Sequence, residues 1–164
     1  MKILHMMRHA KSAWNEPGLS DRERGLNKRG LRDAPRMGQA LSQRITPMPV
    51  SVSPARRAQL TLQGLCEGWP ALCDLQHTVD EQLYTFSAAD LFTWLSQRDT
   101  AEQSVFIIGH NPAFTDLANA LAAGEELANL PTAGYLQLAL EIDQWRDIRQ
   151  GCGAFKVSLF PRQL

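Results

Sequence analysis

The chain has 164 residues, 44% of them hydrophobic, with 17 basic and 17 acidic side chains and no formal net charge. That length and apolar content point to one domain spanning residues 1–164. The zero balance gives no overall field to draw nucleic acid or a membrane surface as partner, and no apolar run approaches the ~18 residues of a membrane span.

Charge is unevenly spread, with 12 Lys and Arg against 4 Asp and Glu in residues 1–57. A solvated helix face accounts for many of Arg29, Arg32, Arg36 and Arg44; the alternative is a rim that attracts anions. Cys66, Cys73 and Cys152 are odd in number and lack CxxC spacing, which argues against a disulfide framework or a zinc site and for reduced thiols. The few apolar residues before Arg8 are too short for a signal peptide, so a cytoplasmic protein is expected.

Lys2 to Met7 reads as a buried strand that ends on Arg8 and His9. A polar loop to about Lys28 leads into a helix over Arg29 to Arg44, with Leu31, Ala34, Met37, Ala40 and Leu41 on one stripe. After "TPMP", Val50 to Ser53 is a short strand, and Pro54 is placed in the first turn of a helix running to about Cys66. Asp74 to Val79 reads as a third strand. Ser87 and Asp90 resemble a capping box opening a helix through Leu95. Ser104 to Gly109 ("SVFIIG") is apolar on both faces, as a central parallel strand should be. Asn111 is expected to cap the next helix, with Pro112 at its first position. Gly134 to Leu140 and Ala154 to Phe160 alternate like an antiparallel hairpin at one edge. The order predicts a three-layer α/β/α sandwich with a mostly parallel sheet.

Three of these strands end on chemically loaded motifs: Arg8-His9, "SPARRA" and "GHNP". In a parallel α/β sheet the carboxyl ends line one edge, where ligands bind, so motifs remote in sequence can share a pocket. Such a pocket would hold Arg8, His9, His110 and one of Arg56 or Arg57. Two guanidinium groups fork onto phosphate oxygens, and a helix starting at Asn111 would add backbone N–H groups and its positive dipole end. The site suits a phosphoryl dianion, with no cofactor and no carboxylate cluster beside it for a metal. A neutral imidazole at His9 could attack phosphorus, giving a phosphohistidine intermediate that water releases, while fixed cations stabilise the equatorial oxygens. His5, His77 and the four tryptophans read as packing residues.

These residues resemble the histidine phosphatase superfamily, whose RHG signature is here Arg8-His9-Ala10, and within it the short SixA-type phosphohistidine phosphatases. "RHAKS", "LNKRGLRDAPRMG", "SPARRA", "LY", "GHNP" and "LPTAG" carry the resemblance over nearly the whole chain. It implies a phosphoglycerate mutase-like fold, His9 as the phosphoryl-accepting nucleophile, and Arg8, Arg57 and His110 as the rest of the phosphate pocket. It also implies phosphate contacts from Asn15, from Asn111 and from Arg24, although Gly25 replaces the family's usual proline beside Arg24. Larger relatives carry a glutamate general acid after the third strand, where Glu81 or Asp80 is nearest. A weak or missing acid would favour phosphohistidine, because imidazole leaves more easily than an alkoxide. About 20 residues separate Val79 from the helix end near Gln97, which leaves little chain for a lid. The expected partner is a phosphorylated histidine-carrier protein; a small phosphoester is the enzymatic alternative, and a non-catalytic phosphate-binding module the other.

Overall fold

The computed structural model describes the whole chain, Met1–Leu164. Six strands, β1 (Lys2–Arg8), β2 (Val50–Val52), β3 (Thr78–Val79), β4 (Ser104–Gly109), β5 (Tyr135–Leu140) and β6 (Gly153–Leu159), form one sheet in the order β3-β2-β4-β1-β5-β6. The first four run parallel, β5 opposes β1, and β6 pairs antiparallel with β5. The strand running against the others is therefore β5, one place in from the edge.

Alternation along each strand splits the core into two layers, because successive side chains point to opposite faces. Leu4, Met6, Val105 and Ile107 pack under α4 (Ala88–Ser96) and α5 (Ala113–Leu121) together with Trp94, Phe114 and Trp145. Met7, Phe106, Ile108, Val50 and Val52 face α1 (Lys28–Ser42) and α2 (Arg56–Gly68), meeting Met37, Leu41 and Leu65. A one-turn helix, α3 (Pro70–Cys73), follows α2. The expected α/β/α sandwich is present, and none of its helices is long and apolar enough to cross a membrane.

Several expected boundaries shift, each for a local reason. The second helix begins at Arg56 because the Ser53 hydroxyl accepts the Ala55 N–H at 3.2 Å and holds a turn that leaves Pro54 outside the helix. One consequence is that Arg56 faces solvent while Arg57 is buried. The third strand shrinks to two residues, since His77 Nδ1 accepts the Val50 N–H in place of a ladder bond. Asp90 does not complete a capping box: it accepts from the Thr85 hydroxyl, and Ser87 makes no side-chain cap. Arg29, Arg32 and Arg36 surround the buried Asp33 carboxylate, so they serve α1 rather than an anion rim.

Candidate active site

The register of β1 against β4 builds the centre of the site. Arg8 lies opposite Gly109, and the ladder continues past both strands, with His9 N–H donating to the Gly109 carbonyl at 3.0 Å. His9 and His110 are thereby adjacent, their ring centroids 5.3 Å apart. On the other side of β4, Ser53 N–H donates to Ile108 O at 3.0 Å, which brings the end of β2 and the start of α2 alongside. Arg8, His9, Arg57 and His110 thus gather at one sheet edge.

Each imidazole has its tautomer fixed by its partners. His9 Nδ1 lies 2.7 Å from the Ala10 carbonyl, which only accepts, so the proton sits on Nδ1 and Nε2 carries the free lone pair. Arg57 Nη2 donates to His110 Nδ1 at 3.3 Å, leaving His110 Nε2–H to donate to Ser53 Oγ at 2.7 Å. Burial lowers the His9 pKa to about 4, and the charges of Arg57, Arg8 and Arg24 push the same way. Burial, then His9 and Arg57, bring His110 to about 3. Both rings are neutral at pH 7.

The arginines have donors to spare. Three buried side-chain polar atoms in the protein lack any hydrogen-bond partner, and they are Nε of Arg8, Arg24 and Arg57. An orphaned buried donor is costly, and three of them on converging cations describe a place for an anion. Arg8 is anchored through Nη1 to the Leu130 carbonyl at 3.1 Å, and Ala133 N–H donates to the carbonyls of both Arg8 and His9. No three His, Cys, Asp or Glu side chains converge as metal ligands.

Asp21 was not legible in the sequence as a site residue, yet its carboxylate sits within this cluster. Arg57 donates to its backbone carbonyl at 2.6 Å and to Oδ2 at 3.0 Å, Arg24 donates to Oδ1 at 2.9 Å, and the Tyr84 hydroxyl donates to Oδ2. Burial raises the Asp21 pKa, but the bonds from Tyr84, Arg57 and Arg24 outweigh it and hold the carboxyl at about 2. Tyr84 and Phe86 also wall one side of His110, with ring centroids 5.5 and 5.4 Å away. Thr61 was missed as well: it accepts from Ala10 N–H at 2.8 Å and donates to the Arg57 carbonyl at 2.7 Å, tying the His9 segment to α2. The one sequence signal for Asp21 was its i,i+3 spacing from Arg24 on a loop with no periodicity.

Other expected members stand apart. Glu81 is exposed and paired bidentately with Arg22, whose hydrogen bonds lower its pKa; it is therefore ionised and turned to solvent. Asp80 accepts from Gln82 N–H and Trp94 Nε1. Asn111 does not open the helix, which starts at Ala113. Its amide nitrogen donates to Asn129 Oδ1 and the Leu130 carbonyl, holding the loop that anchors Arg8, while its oxygen accepts from the Thr115 N–H and hydroxyl in the first turn of α5. The N–H groups expected to face phosphate are partly spent too, Phe114 N–H on the His110 carbonyl and Thr115 N–H on Asn111. Asn15 is exposed in an adjoining groove it shares with Arg24. His5 bonds the Tyr135 hydroxyl and His77 bridges Val50 and Leu72, as packing residues should.

A parallel sheet edge carrying two neutral histidines among arginines with unspent donors defines a phosphoryl-handling enzyme. Residues 4–104 match the family model of the histidine phosphatase superfamily, branch 1, and the chain belongs to that family as a phosphohydrolase. A structure from Agrobacterium tumefaciens bearing the name phosphohistidine phosphatase SixA superposes with a TM-score of 0.80 at 25% identity, covering 98% of both chains. A protein histidine phosphatase SixA complexed with tungstate superposes at 0.78 with 23% identity and 98% of each chain. A mycobacterial glucosyl-3-phosphoglycerate phosphatase shares the fold at 0.69, with 18% identity over 96% of this chain and 98% of the other. No curated protein sequence matches the chain.

Proposed function

We propose that the protein hydrolyses phosphohistidine on another protein, with His9 as nucleophile. In this reading the phosphoryl group lies against Arg8, Arg57 and His110, and the lone pair of His9 Nε2 attacks phosphorus in line. The P–N bond to the substrate ring breaks, the electron pair stays on that nitrogen, and an imidazole protonated on its far nitrogen leaves neutral. Water then attacks the phosphorylated His9, releasing phosphate and restoring the free ring. Arg8 and Arg57 stabilise the equatorial charge through donors that are already oriented.

The observation that carries the substrate choice is that no carboxyl at the site holds a proton at neutral pH. Asp21 is held at about 2 and Glu81 is paired with Arg22. An alkoxide needs a proton as it departs, whereas imidazole, with a conjugate acid of pKa about 6.5, does not need a strong donor. Several of the superposable structures carry names for phosphohistidine phosphatases, which supports the same reading.

The test is a brief exposure to a histidine-carrier domain bearing radiolabelled phosphohistidine. The protein should acquire acid-labile, base-stable label that disappears in His9→Ala, and single-turnover rates should exceed those on sugar phosphates. Faster turnover of aliphatic phosphate esters would reassign the protein to small phosphoesters, and binding without any label would make it a phosphate-binding module.

A further inference from the structure

Beside the phosphate site runs a groove that the chemistry above does not use. It encloses about 740 Å³ between the loop from Lys11 to Lys28 and the start of α2, and it adjoins a second hollow of about 500 Å³ that shares Leu19, Arg56 and Leu60 with it. Seven large hydrophobic side chains are exposed in the whole protein, and three of them, Trp14, Leu19 and Leu31, line this one groove. Trp14 is 74% exposed, and its indole lies under the Arg24 guanidinium at 3.7 Å, so it is held in place without being covered. Trp14 is thus not the packing residue the sequence suggested.

The charge around these apolar groups is one-sided. Lys11, Lys28 and Arg56 line the groove and form no ion pair within the chain, and Glu16 is the lone carboxylate in its main part. The groove borders the active-site cluster through Arg24 and Arg56. Arg24 lines it and bonds Asp21, which bonds Arg57; Arg56 lines it one residue from Arg57.

We propose that this groove docks an acidic amphipathic helix of the phosphoprotein substrate, the helix that lies next to the phosphorylated histidine. The proposal rests on the substrate class assigned above. Exposed leucines offer little to a sugar phosphate, whereas leucines and a tryptophan together fit the i, i+4 apolar stripe of a helix, and unpaired cations beside them match carboxylates on its flank. Clustered apolar surface rimmed by like charges marks a protein contact, and complementary charge raises the encounter rate as well as fixing orientation.

The test uses three probes: a helical peptide of about 18 residues carrying phosphohistidine, glutamates and an i, i+4 leucine stripe; the same peptide with Gln for each Glu; and phosphoramidate. The wild-type protein should turn over the acidic peptide with a kcat/KM about tenfold above the Gln peptide, and added salt should erase the gap. Lys28→Glu combined with Arg56→Glu should lose that tenfold on the acidic peptide while phosphoramidate turnover stays within about twofold. Unphosphorylated acidic peptide should shift Trp14 emission, a signal lost in Trp14→Phe. Equal turnover of both peptides, a parallel loss on phosphoramidate, or equal competition by single-stranded DNA would overturn the docking surface. If phosphohistidine is not hydrolysed but the unphosphorylated peptide still shifts Trp14, the substrate assignment fails and the surface stands.

Discussion

The depressed histidines make a sharp statement about pH. In the proposed chemistry His9 must be neutral to attack, and its ordinary pKa of 6.5 is lowered to about 4 by burial and by the charges of Arg57, Arg8 and Arg24. At pH 5 an unperturbed imidazole would be about 3% neutral, whereas one with a pKa near 4 is about 90% neutral. The single-turnover rate should therefore hold or rise between pH 7 and pH 5, as the leaving ring gains its far proton, instead of falling about 30-fold, with the acid limb centred near pH 4. The same shifts bear on stability. The folded state binds fewer protons than the unfolded chain between about pH 4 and 6.5, so stability is fully present above 6.5 and is lost as pH falls through that window. His5, buried against Phe106 and likewise lowered to about 4, contributes up to about 3 kcal/mol of this loss; His9 and His110 add to it but share their effect because they face each other. Rapid-quench phosphoenzyme formation and the titration of histidines labelled at Cε1, followed by NMR, read the two quantities separately. A His9 that titrates near 6.5 in the free protein, or an acid limb centred there, would refute the claim that burial and three arginines keep the ring neutral.

Other perturbations separate the residues of the site from those near it. His9→Ala should lower turnover of a phosphohistidine carrier by at least about 10³-fold, whereas Glu81→Gln, which removes only an exposed pair with Arg22, should stay within about threefold; equal losses in steady-state assays would restore Glu81 as an acid. Arg57→Lys keeps the charge but cannot reach the Asp21 carboxylate, the Asp21 carbonyl and His110 together, so kcat/KM should drop about 100-fold, and a change under about fivefold would count against a role at phosphorus. Gly38 sits where an added Cβ would lie 2.2 Å from the Leu65 carbonyl oxygen, so Gly38→Ala should push α1 and α2 apart and cost about 1–3 kcal/mol in urea unfolding; an unchanged midpoint would show that the helices have slack.

Much of the fold could be read locally. "SVFIIG" is a central strand because Val105 to Ile108 are apolar on both faces, and the β1 run ends abruptly on a cation and an imidazole, which marks a strand end with a task. Because β1, β2 and β4 run parallel, their carboxyl ends had to meet, and Arg8, His9 and His110 came together through backbone register alone. The choice of Arg57 over Arg56 was less local. It follows from the turn at Ser53, which delays the start of α2 until Arg57 points inward.

What the sequence determined by itself was the alternation of apolar runs with charged strand ends, hence the layered sheet and the histidine-arginine cluster at its edge, since periodicity and strand direction are properties of neighbouring residues. Only the tertiary structure decided which side chains those residues partner: that Asp21 enters the cluster, that Arg22 draws Glu81 away to solvent, that Asn111 spends its polar atoms on a loop and on the first turn of α5, and that Trp14 stays uncovered. A hydrogen bond or ion pair between distant segments depends on how the packed layers bring loops together, and no local pattern in the chain encodes that distance.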